Sequence, residues 1–576
     1  MIKPIFVFLS LSLLTIPSFS FAENSVASIG DAFWEAYNSQ NKMSAINNGT
    51  AENPVPIDDL SLQKLKLLAE KYDNLAMKAE SISNTSLSEM EKNNLATLVW
   101  MLKAEADWLR SPLRRLTFNT VYSWLDVYQS TTLPQGWDAP DMRARYSERL
   151  ALLPRYISQQ QALLEDGRLM GVTQSCVAVD AHIDTVEKML GSSPFLLPVA
   201  KVMDEMTGEQ KEEINTGNDN ATRALASYLQ YVKTDYSPFC RKEAGIQAKD
   251  AYEKSLNYYT STDVTAKHLH LTGKQEVERN LKRLDDIIQS GKLSGLVNVD
   301  SVEQLIAAMR TRPTFFAKDK DEIITRSNDV VEQVKSRMGD YFSFNGNFPQ
   351  LHVVPMPDYV AEKAPAAYYL QGGDAGGTVS INTSNPTERN IHSLPALLLH
   401  EGLPGHHYQI YTKLQNKSVP PYRSNYYFQA LTEGWGLYAE GYGEKLIENY
   451  SVLDQIGEIS MELLRAGRLV VDTGIHTMGW SREQAVNYLT QNTAESDIVI
   501  SNEVDRFISL PGQATTYKVG HLAIMAERSK SETSLGVNFN EKTFNDAVLQ
   551  RLELPVEAFQ KAMERWTEKQ LQKFGR

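Results

Sequence analysis

The chain has 576 residues, of which 42% are hydrophobic, and a formal net charge of −13 at pH 7. This length suits one large domain or two to three smaller ones. The acidic balance and the lack of a basic stripe argue against a nucleic acid or a membrane surface as the partner of the mature chain.

The first 22 residues show the three parts of a secretory signal peptide. Lys3 gives a positive start, residues 5–16 are mostly apolar, and residues 20–22 read Ser-Phe-Ala, a small-x-small cleavage motif. The apolar stretch is shorter than the ~20 residues of a membrane-spanning helix. We therefore expect residues 1–22 to be removed and the mature chain to be periplasmic or secreted. An uncleaved membrane anchor is the alternative, and no cysteine follows the cleavage site to carry a lipid.

The chain has two cysteines, Cys176 and Cys240, which we expect to form a disulfide. An exported protein enters an oxidising compartment, where paired thiols form disulfides. Two separate buried thiols are the alternative.

Apolar residues at three- and four-residue spacing predict helices through the first part of the chain. Leu65, Leu68 and Tyr72 are an early example. Charged runs in these amphipathic stretches are read as solvated helix faces. The sequence predicts an N-terminal helical region over residues 23–339.

A strand-like island interrupts this pattern between about residues 340 and 385. It is rich in aromatic, β-branched and turn-forming residues, and polar Thr378, Ser380 and Asn382 alternate with apolar neighbours. Helical spacing then returns to the end of the chain. We predict a mostly α fold with one small β-sheet just before the histidine cluster. Residues 340–576 would form the catalytic region of one continuous fold.

Six of the ten histidines lie between residues 392 and 521, and three of them lie in LLLHEGLPGHHYQI, residues 397–410. In an H-E-x-x-H helix, residues i and i+4 share a face, so both imidazoles reach one zinc ion. Here Pro404 stands four residues after His400. The next two histidines follow at six and seven residues.

The break in this segment selects between the two later histidines. On an unbroken helix, His406 would lie ~240° around from His400, and His407 ~10 Å further along. Two ligand nitrogens on a tetrahedral zinc are only ~3.4 Å apart. A kink is therefore needed, and Pro404 and Gly405 place it directly before His406. His406 is the predicted second ligand, and His407 is the alternative.

An acidic block follows in LTEGWGLYAEGYGEKL, residues 431–446. Glu433 and Glu440 share a helix face, and a glutamate from another helix completes the His₂Glu set of many zinc peptidases. The block therefore predicts Zn²⁺ bound by His400, His406 and Glu433. Surface acids of an ordinary helix are the alternative.

These blocks resemble a known family. HEGLPGHHYQ (400–409) followed by EGWGLYAE (433–440) is similar to the bacterial family called domain of unknown function 885. Two later stretches also match the family, GRLVVDTGIHTMGWSREQA (467–485) and PGQATTYKVGHLAI (511–524). The likeness covers most of the mature chain and is strongest from about residue 340. One position departs from it, because the family's late Phe-His-Asp reads Phe544-Asn545-Asp546 here.

More distantly, the two blocks resemble the helical zinc carboxypeptidases of the Taq type, which have H-E-x-G-H and a glutamate on a later helix. Against that pattern this chain has a two-residue insertion. The resemblance implies a zinc-peptidase-like helical architecture with ligands His400, His406 and Glu433. It also implies that Glu401 is the general base and that His407 lies beside the ligands or faces the substrate.

Other side chains are candidates for catalysis or substrate binding. His476 follows Asp472 by one helical turn and is predicted to donate a hydrogen bond to a tetrahedral oxyanion. A purely structural polar stripe is the alternative. Tyr517 is predicted to polarise the scissile carbonyl, and Arg506 or Lys518 to hold a peptide carboxylate.

A last candidate lies in the strand-like stretch GGTVSINT, residues 376–383. This strand is a candidate for pairing with an extended peptide, with Asn382 as a substrate-binding residue. Ordinary sheet structure is the alternative.

Together these features predict an exported zinc metallopeptidase that acts on short peptides or other small amides through an activated water. One alternative is a metal-dependent hydrolase or lyase acting on a non-peptide amide or ester. Another is a binding protein that has lost its activity. The sequence contains no G-x-S-x-G nucleophile motif and no G-x-x-x-x-G-K-[ST] phosphate loop.

Overall fold

Helices make up most of the structure, which is a computed structural model. It describes these residues: 25–47, 55–132, 136–137, 139–343, 350–357, 361, 365–372 and 376–575. The predicted signal peptide, residues 1–22, lies outside the described residues, as do residues 344–349 of the predicted strand region. Within the described ranges, no helix combines the length and the apolar character that a membrane crossing needs.

The helices follow the predicted pattern on both sides of the strand region. The α-helices before it are Val26–Gln40, Lys42–Asn47, Leu62–Glu80, Glu89–Arg110, Trp124–Thr132, Pro140–Leu169, Cys176–Leu190, Gly208–Tyr231, Lys249–Thr260, Ala266–Gln289, Val302–Thr311 and Lys320–Arg337. The α-helices after it are Leu394–Glu401, His406–Gln415, Pro421–Ser424, Gln429–Glu440, Gly443–Leu446, Val452–Met478, Arg482–Asn492, Asp497–Ser509, Thr516–Leu535, Glu541–Leu549 and Val556–Lys573. The prediction of a mostly α fold is confirmed.

The Glu89–Arg110 helix shows how the local sequence determines where a helix begins. Ser88 accepts a hydrogen bond from the backbone N–H of Glu91, and the Glu91 carboxylate accepts one from the backbone N–H of Ser88. This capping box satisfies two backbone donors at the helix start. The buried face carries apolar residues such as Leu98 and also one carboxylate, Glu105.

The predicted sheet is present and has three strands, β1 (Leu351–Pro355), β2 (Ala367–Gln371) and β3 (Gly377–Ile381). β3 is central, because it pairs in parallel with β1 and in antiparallel with β2. Both edges of β3 are therefore occupied by strands of the same chain. The prediction that this strand pairs with a peptide substrate is wrong.

A long buried helix, Val452–Met478, connects the two predicted regions. It packs against the earlier helix Ala266–Gln289, and Val277 shares one hydrophobic cluster with Ile456 and Leu463. The chain before residue 340 thus shares a core with the chain after it. The boundary at residue 340 itself stays a prediction.

Cys176 and Cys240 form a disulfide, as predicted. The bond joins the start of the Cys176–Leu190 helix to the segment after the Gly208–Tyr231 helix, across a sequence separation of 64 residues. A cross-link of this span restricts the unfolded chain and contributes about 2–4 kcal/mol of stability. A structural disulfide is typical of an exported protein.

Candidate metal centre

The histidine cluster lies on two helices with a sharp break between them. The first ligand helix is Leu394–Glu401, and the second ligand helix is His406–Gln415. Gly405 makes the reversal possible, because a Cβ at this position would lie 1.9 Å from the carbonyl oxygen of His400. Only glycine fits so close an approach of two backbone segments. The break predicted from Pro404 and Gly405 is confirmed.

The third ligand helix, Gln429–Glu440, carries Glu433 towards this break. Trp435 of the same helix is fully buried, and its indole N–H donates to the carbonyl oxygen of Pro404 at 2.9 Å. A buried tryptophan normally finds such a hydrogen-bond partner. This contact holds the third ligand helix against the turn between the other two.

His400, His406 and Glu433 converge on one point. One donor atom from each lies within 4.8 Å of the other two. Nε2 of His400 is 3.5 Å from Oε2 of Glu433, and Nε2 of His406 is 3.6 Å from the same oxygen. Ligand atoms around a tetrahedral zinc with bonds of ~2.1 Å are ~3.4 Å apart. Two imidazoles and one carboxylate that leave a fourth position open form a donor set that fits catalytic zinc.

Glu440 orients the imidazole of His400. Nδ1 of His400 lies 2.8 Å from Oε1 of Glu440, so a hydrogen bond at Nδ1 leaves Nε2 to face the cluster. Gly436 leaves room for this ring, because a Cβ there would lie 2.5 Å from it. Carboxylates commonly hold metal-binding histidines in this way and raise the basicity of the ligand nitrogen.

Replacing Glu440 by alanine is expected to weaken zinc binding about 10–100-fold, because the His400 ring loses the group that fixes its orientation. Competition titration against a zinc chelator measures this change. Glu444→Ala is the matched control, since Glu444 is an exposed glutamate four residues later. Equal zinc affinities of the Glu440→Ala variant and the wild type would show that Glu440 does not support the site.

The buried carboxylates make the cluster favourable for a positive charge. Burial lowers the pKa of His400, but hydrogen bonds with Glu433 and Glu440 outweigh it and raise this pKa to about 10. Burial raises the pKa of Glu433, but hydrogen bonds with His400 and His406 hold it well below the usual range. These shifts show an electrostatic environment that suits a cation.

Glu401 lies beside the cluster and is not part of the converging donor set. Burial raises the pKa of its carboxyl group, and the nearby His400 and His406 lower it. A partly buried carboxyl group with a raised pKa is suited to proton transfer. Its role as the base stays a prediction.

Tyr517 also reaches the cluster. Its ring centroid is 6.4 Å from that of His400, and the two planes differ by 25°. The guanidinium carbon of Arg468 lies 4.6 Å from the Tyr517 ring centroid. Burial and the charge of Glu433 raise the pKa of Tyr517, so its hydroxyl group stays protonated at neutral pH. Its role in polarising a carbonyl stays a prediction.

The prediction for His476 is wrong. Nε2 of His476 lies 2.9 Å from the carbonyl oxygen of Phe507, and Nδ1 accepts a hydrogen bond from the backbone N–H of Ile246 at 3.3 Å. Asp472 does not hold the ring, since its carboxylate accepts from the Tyr252 hydroxyl at 2.5 Å. Burial lowers the pKa of His476 to about 3. The ring is a neutral link between backbone segments and has no nitrogen left for an oxyanion.

The prediction for Lys518 is also wrong. This side chain is fully buried, and its Nζ lies 2.6 Å from Glu462, 2.9 Å from Glu276 and 3.2 Å from Nδ1 of His521. These three contacts use the three N–H bonds of an ammonium group. Lys518 neutralises the partly buried carboxylates of Glu276 and Glu462 and is closed to a substrate.

Burial lowers the pKa of Arg506, but its pairing with Glu503 and, to a smaller extent, the charge of Glu433 outweigh burial and raise this pKa. Its guanidinium donates to Glu503 at 2.9 Å and to Gln513 at 2.5 Å. A role in holding a substrate carboxylate stays a prediction.

Asn382 is not a substrate-binding residue. It is 1% exposed, its amide nitrogen donates to the carbonyl oxygen of Ala361 at 2.6 Å, and its amide oxygen accepts from the backbone N–H of Ser384 at 3.1 Å. The side chain instead anchors the loop after β3. The prediction failed because strand alternation does not show which polar side chains are used by a neighbouring loop.

His407 faces the sheet and is not among the converging donors. Its Nδ1 lies 3.1 Å from the hydroxyl oxygen of Tyr369 on β2, and a Cβ at Gly377 would lie 2.4 Å from that nitrogen. His407 is 2% exposed and packs against Tyr369 on β2, which argues against the substrate-facing alternative. That it lies beside the ligands stays a prediction. Of the two candidate histidines, His406 is the one that joins the converging donors.

Tyr427 contacts the site and was missed from the sequence, whereas Asn545 was noted there only as a departure from the family pattern. Tyr427 donates its hydroxyl to Oε1 of Glu433 at 2.5 Å. Asn545, at the departing family position, is buried and bonds to the hydroxyl groups of Tyr438 and Tyr442 at 2.8 Å each. It thus braces the third ligand helix from behind. Tyr427 lies outside any helix, so no periodic pattern marked it.

The chain is similar to one bacterial protein family and to solved structures. The model of the family described as "Bacterial protein of unknown function (DUF885)" matches residues 44–563. The solved structure of a "putative lipoprotein" from Colwellia psychrerythraea is 23% identical, with a TM-score of 0.84, over 95% of this chain and 100% of that chain. A "putative lipoprotein of unknown function" from Shewanella oneidensis is 16% identical, with a TM-score of 0.76, over 94% of this chain and 99% of that one.

At these identities the two structures show a common fold. No curated protein matches the chain. Because the family model covers most of the sequence, the chain belongs to the DUF885 family of bacterial proteins.

Proposed function

We propose that this protein is an exported zinc-dependent peptidase that hydrolyses short peptides. The observation that carries the proposal is the convergence of His400, His406 and Glu433 next to Glu401. Two imidazoles, one carboxylate and an adjacent second carboxylate form the set of groups that metal-assisted hydrolysis uses.

Each residue near the metal has a separate role in the proposed reaction. Zinc in such a site supplies a Lewis acid and lowers the pKa of water towards ~7. Glu401 takes a proton from the attacking water and delivers it to the leaving amine. Tyr517, held beside His400, donates a hydrogen bond to the oxygen of the scissile carbonyl.

Two buried arginines lie near the candidate metal centre. Arg465 and Arg468 are each less than a tenth exposed. Nε of Arg465 and Nη1 of Arg468 are buried and have no hydrogen-bond partner in the described part of the chain. The positive charge of these two side chains suits a substrate that carries a carbonyl or carboxylate oxygen. Arg465 lies 3.8 Å from Glu440, which orients His400, and Arg468 lies against Tyr517.

A peptide digest tests the proposal. The mature protein is stripped of metal, divided, and incubated with a library of short peptides with or without zinc, and mass spectrometry identifies new chain ends. We expect new ends only in the zinc arm. Zinc-loaded protein that leaves all peptides intact but hydrolyses an ester library would instead support the non-peptide hydrolase. A zinc-loaded protein that binds peptides but cleaves none of them would support the alternative of a binding protein that has lost its activity.

A further inference from the structure

An aromatic cavity of about 140 Å³ lies beside the candidate metal centre. Seven of its nine lining residues are aromatic. Tyr37, Trp100 and Tyr258 come from three separate N-terminal helices, and residues 426–429 precede or begin the third ligand helix. The packing of these elements therefore builds a single aromatic enclosure.

Tyr427 joins this cavity to the metal centre. Its side chain lines the cavity, and its hydroxyl donates to Glu433, one of the converging donors. The residue is 53% exposed, so this wall of the cavity is open to solvent. Gln429, also in the lining, accepts from Gln513 at 3.2 Å, which in turn accepts from Arg506. The Tyr427 side chain thus lies between a group bound in the cavity and the Glu433 carboxylate.

We propose that this cavity is the specificity pocket for an aromatic side chain of the substrate, an inference that rests on the proposed peptidase function. An engineered apolar cavity of about 150 Å³ holds a benzene molecule. The cavity here therefore has the size of a phenyl group. Its walls already show the edge-to-face contacts that aromatic rings prefer, as between Trp100 and Tyr426, whose centroids are 6.2 Å apart at 79°.

The lining favours a neutral ring over a cation. None of the nine lining residues carries a formal charge. The nearby carboxylate, Glu105, accepts the hydroxyl groups of Tyr426 at 2.7 Å and Tyr258 at 3.2 Å. It therefore positions two wall residues from behind. A guanidinium or ammonium group inside would lose its water, and none of the lining side chains offers it a charged partner. Aromatic walls do attract cations, so a cationic side chain is the competing occupant to test.

Probe binding to the zinc-free protein tests the pocket independently of catalysis. The probes are the N-acetyl amides of phenylalanine, alanine and arginine, and NMR titration of each probe gives its Kd. We expect the phenylalanine probe to bind about 10–100-fold more tightly than the alanine probe, because its ring leaves water. The arginine probe should bind no better than the alanine probe.

A pair of tryptophan variants localises the binding. Trp100→Ala removes one wall and should abolish most of the preference for the phenylalanine probe. Trp480→Ala is the control, because Trp480 is also partly buried but does not line the cavity. Equal binding of the phenylalanine and alanine probes to the wild type, a preference for arginine, or an unchanged preference in Trp100→Ala would overturn the proposal.

The peptide digest separates the two levels of inference. Cleavage by the zinc-loaded protein that favours peptides with aromatic residues supports both. Cleavage without that preference overturns the pocket and leaves the peptidase standing. Selective binding of the phenylalanine probe without any peptide cleavage overturns the peptidase, while the cavity remains an aromatic-binding site.

Discussion

Replacing Glu401 by glutamine is expected to leave zinc bound and to lower kcat about 10²–10⁴-fold, the usual contribution of a general base. Glutamine keeps the size of the side chain but cannot accept a proton from water. Glu401 is not one of the three converging donors, so the metal affinity should change little. The measurement is kcat on a peptide that the digest identifies, with zinc content determined on the same preparation.

Glu444→Gln is the matched control, because Glu444 is an exposed glutamate outside the cluster. A Glu401→Gln variant with the kcat of the wild type would show that another group is the base. A variant that loses its zinc would place Glu401 among the ligands.

The second large effect concerns the two adjacent histidines. His406→Ala should weaken zinc binding by more than the ~10–100-fold typical for loss of an outer hydrogen-bond partner, because it removes one of three protein ligands. His407→Ala should bind zinc like the wild type, because the His407 ring lies against Tyr369 and outside the converging donors. Zinc titration of the two variants by calorimetry measures both affinities.

The two variants control for each other, because both replace a histidine by alanine and the two positions are adjacent on the second ligand helix. Far-ultraviolet circular dichroism establishes that both variants are folded. Loss of zinc in His407→Ala with retention in His406→Ala would show that the assignment of the second ligand is reversed.

Features that depend on neighbours in sequence were predictable. Apolar spacing indicated the helices, and the alternation around Thr378 indicated the sheet. Each pattern marks the buried face of a single helix or strand, so it can be seen in the local sequence. The turn before His406 was predictable for the same reason. Pro404 and Gly405 restrict the backbone where they stand, whatever the rest of the chain does.

Features that depend on distant partners were not predictable. Helical spacing placed Lys518 and His476 on their helices, but it does not show what each side chain meets. Lys518 meets Glu276, more than 200 residues earlier, and His476 meets the carbonyl of Phe507 on another helix. The aromatic cavity was not predictable for the same reason, because its walls come from separate parts of the chain and share no local sequence pattern.

The metal content of the mature wild-type protein tests the central claim most directly. The protein is supplemented with zinc, dialysed against zinc-free buffer and analysed by inductively coupled plasma mass spectrometry, with His400→Ala treated in parallel. We expect one zinc per wild-type chain and almost none in the variant. A wild-type protein that holds no zinc after this treatment, or a variant that holds as much as the wild type, would contradict this expectation.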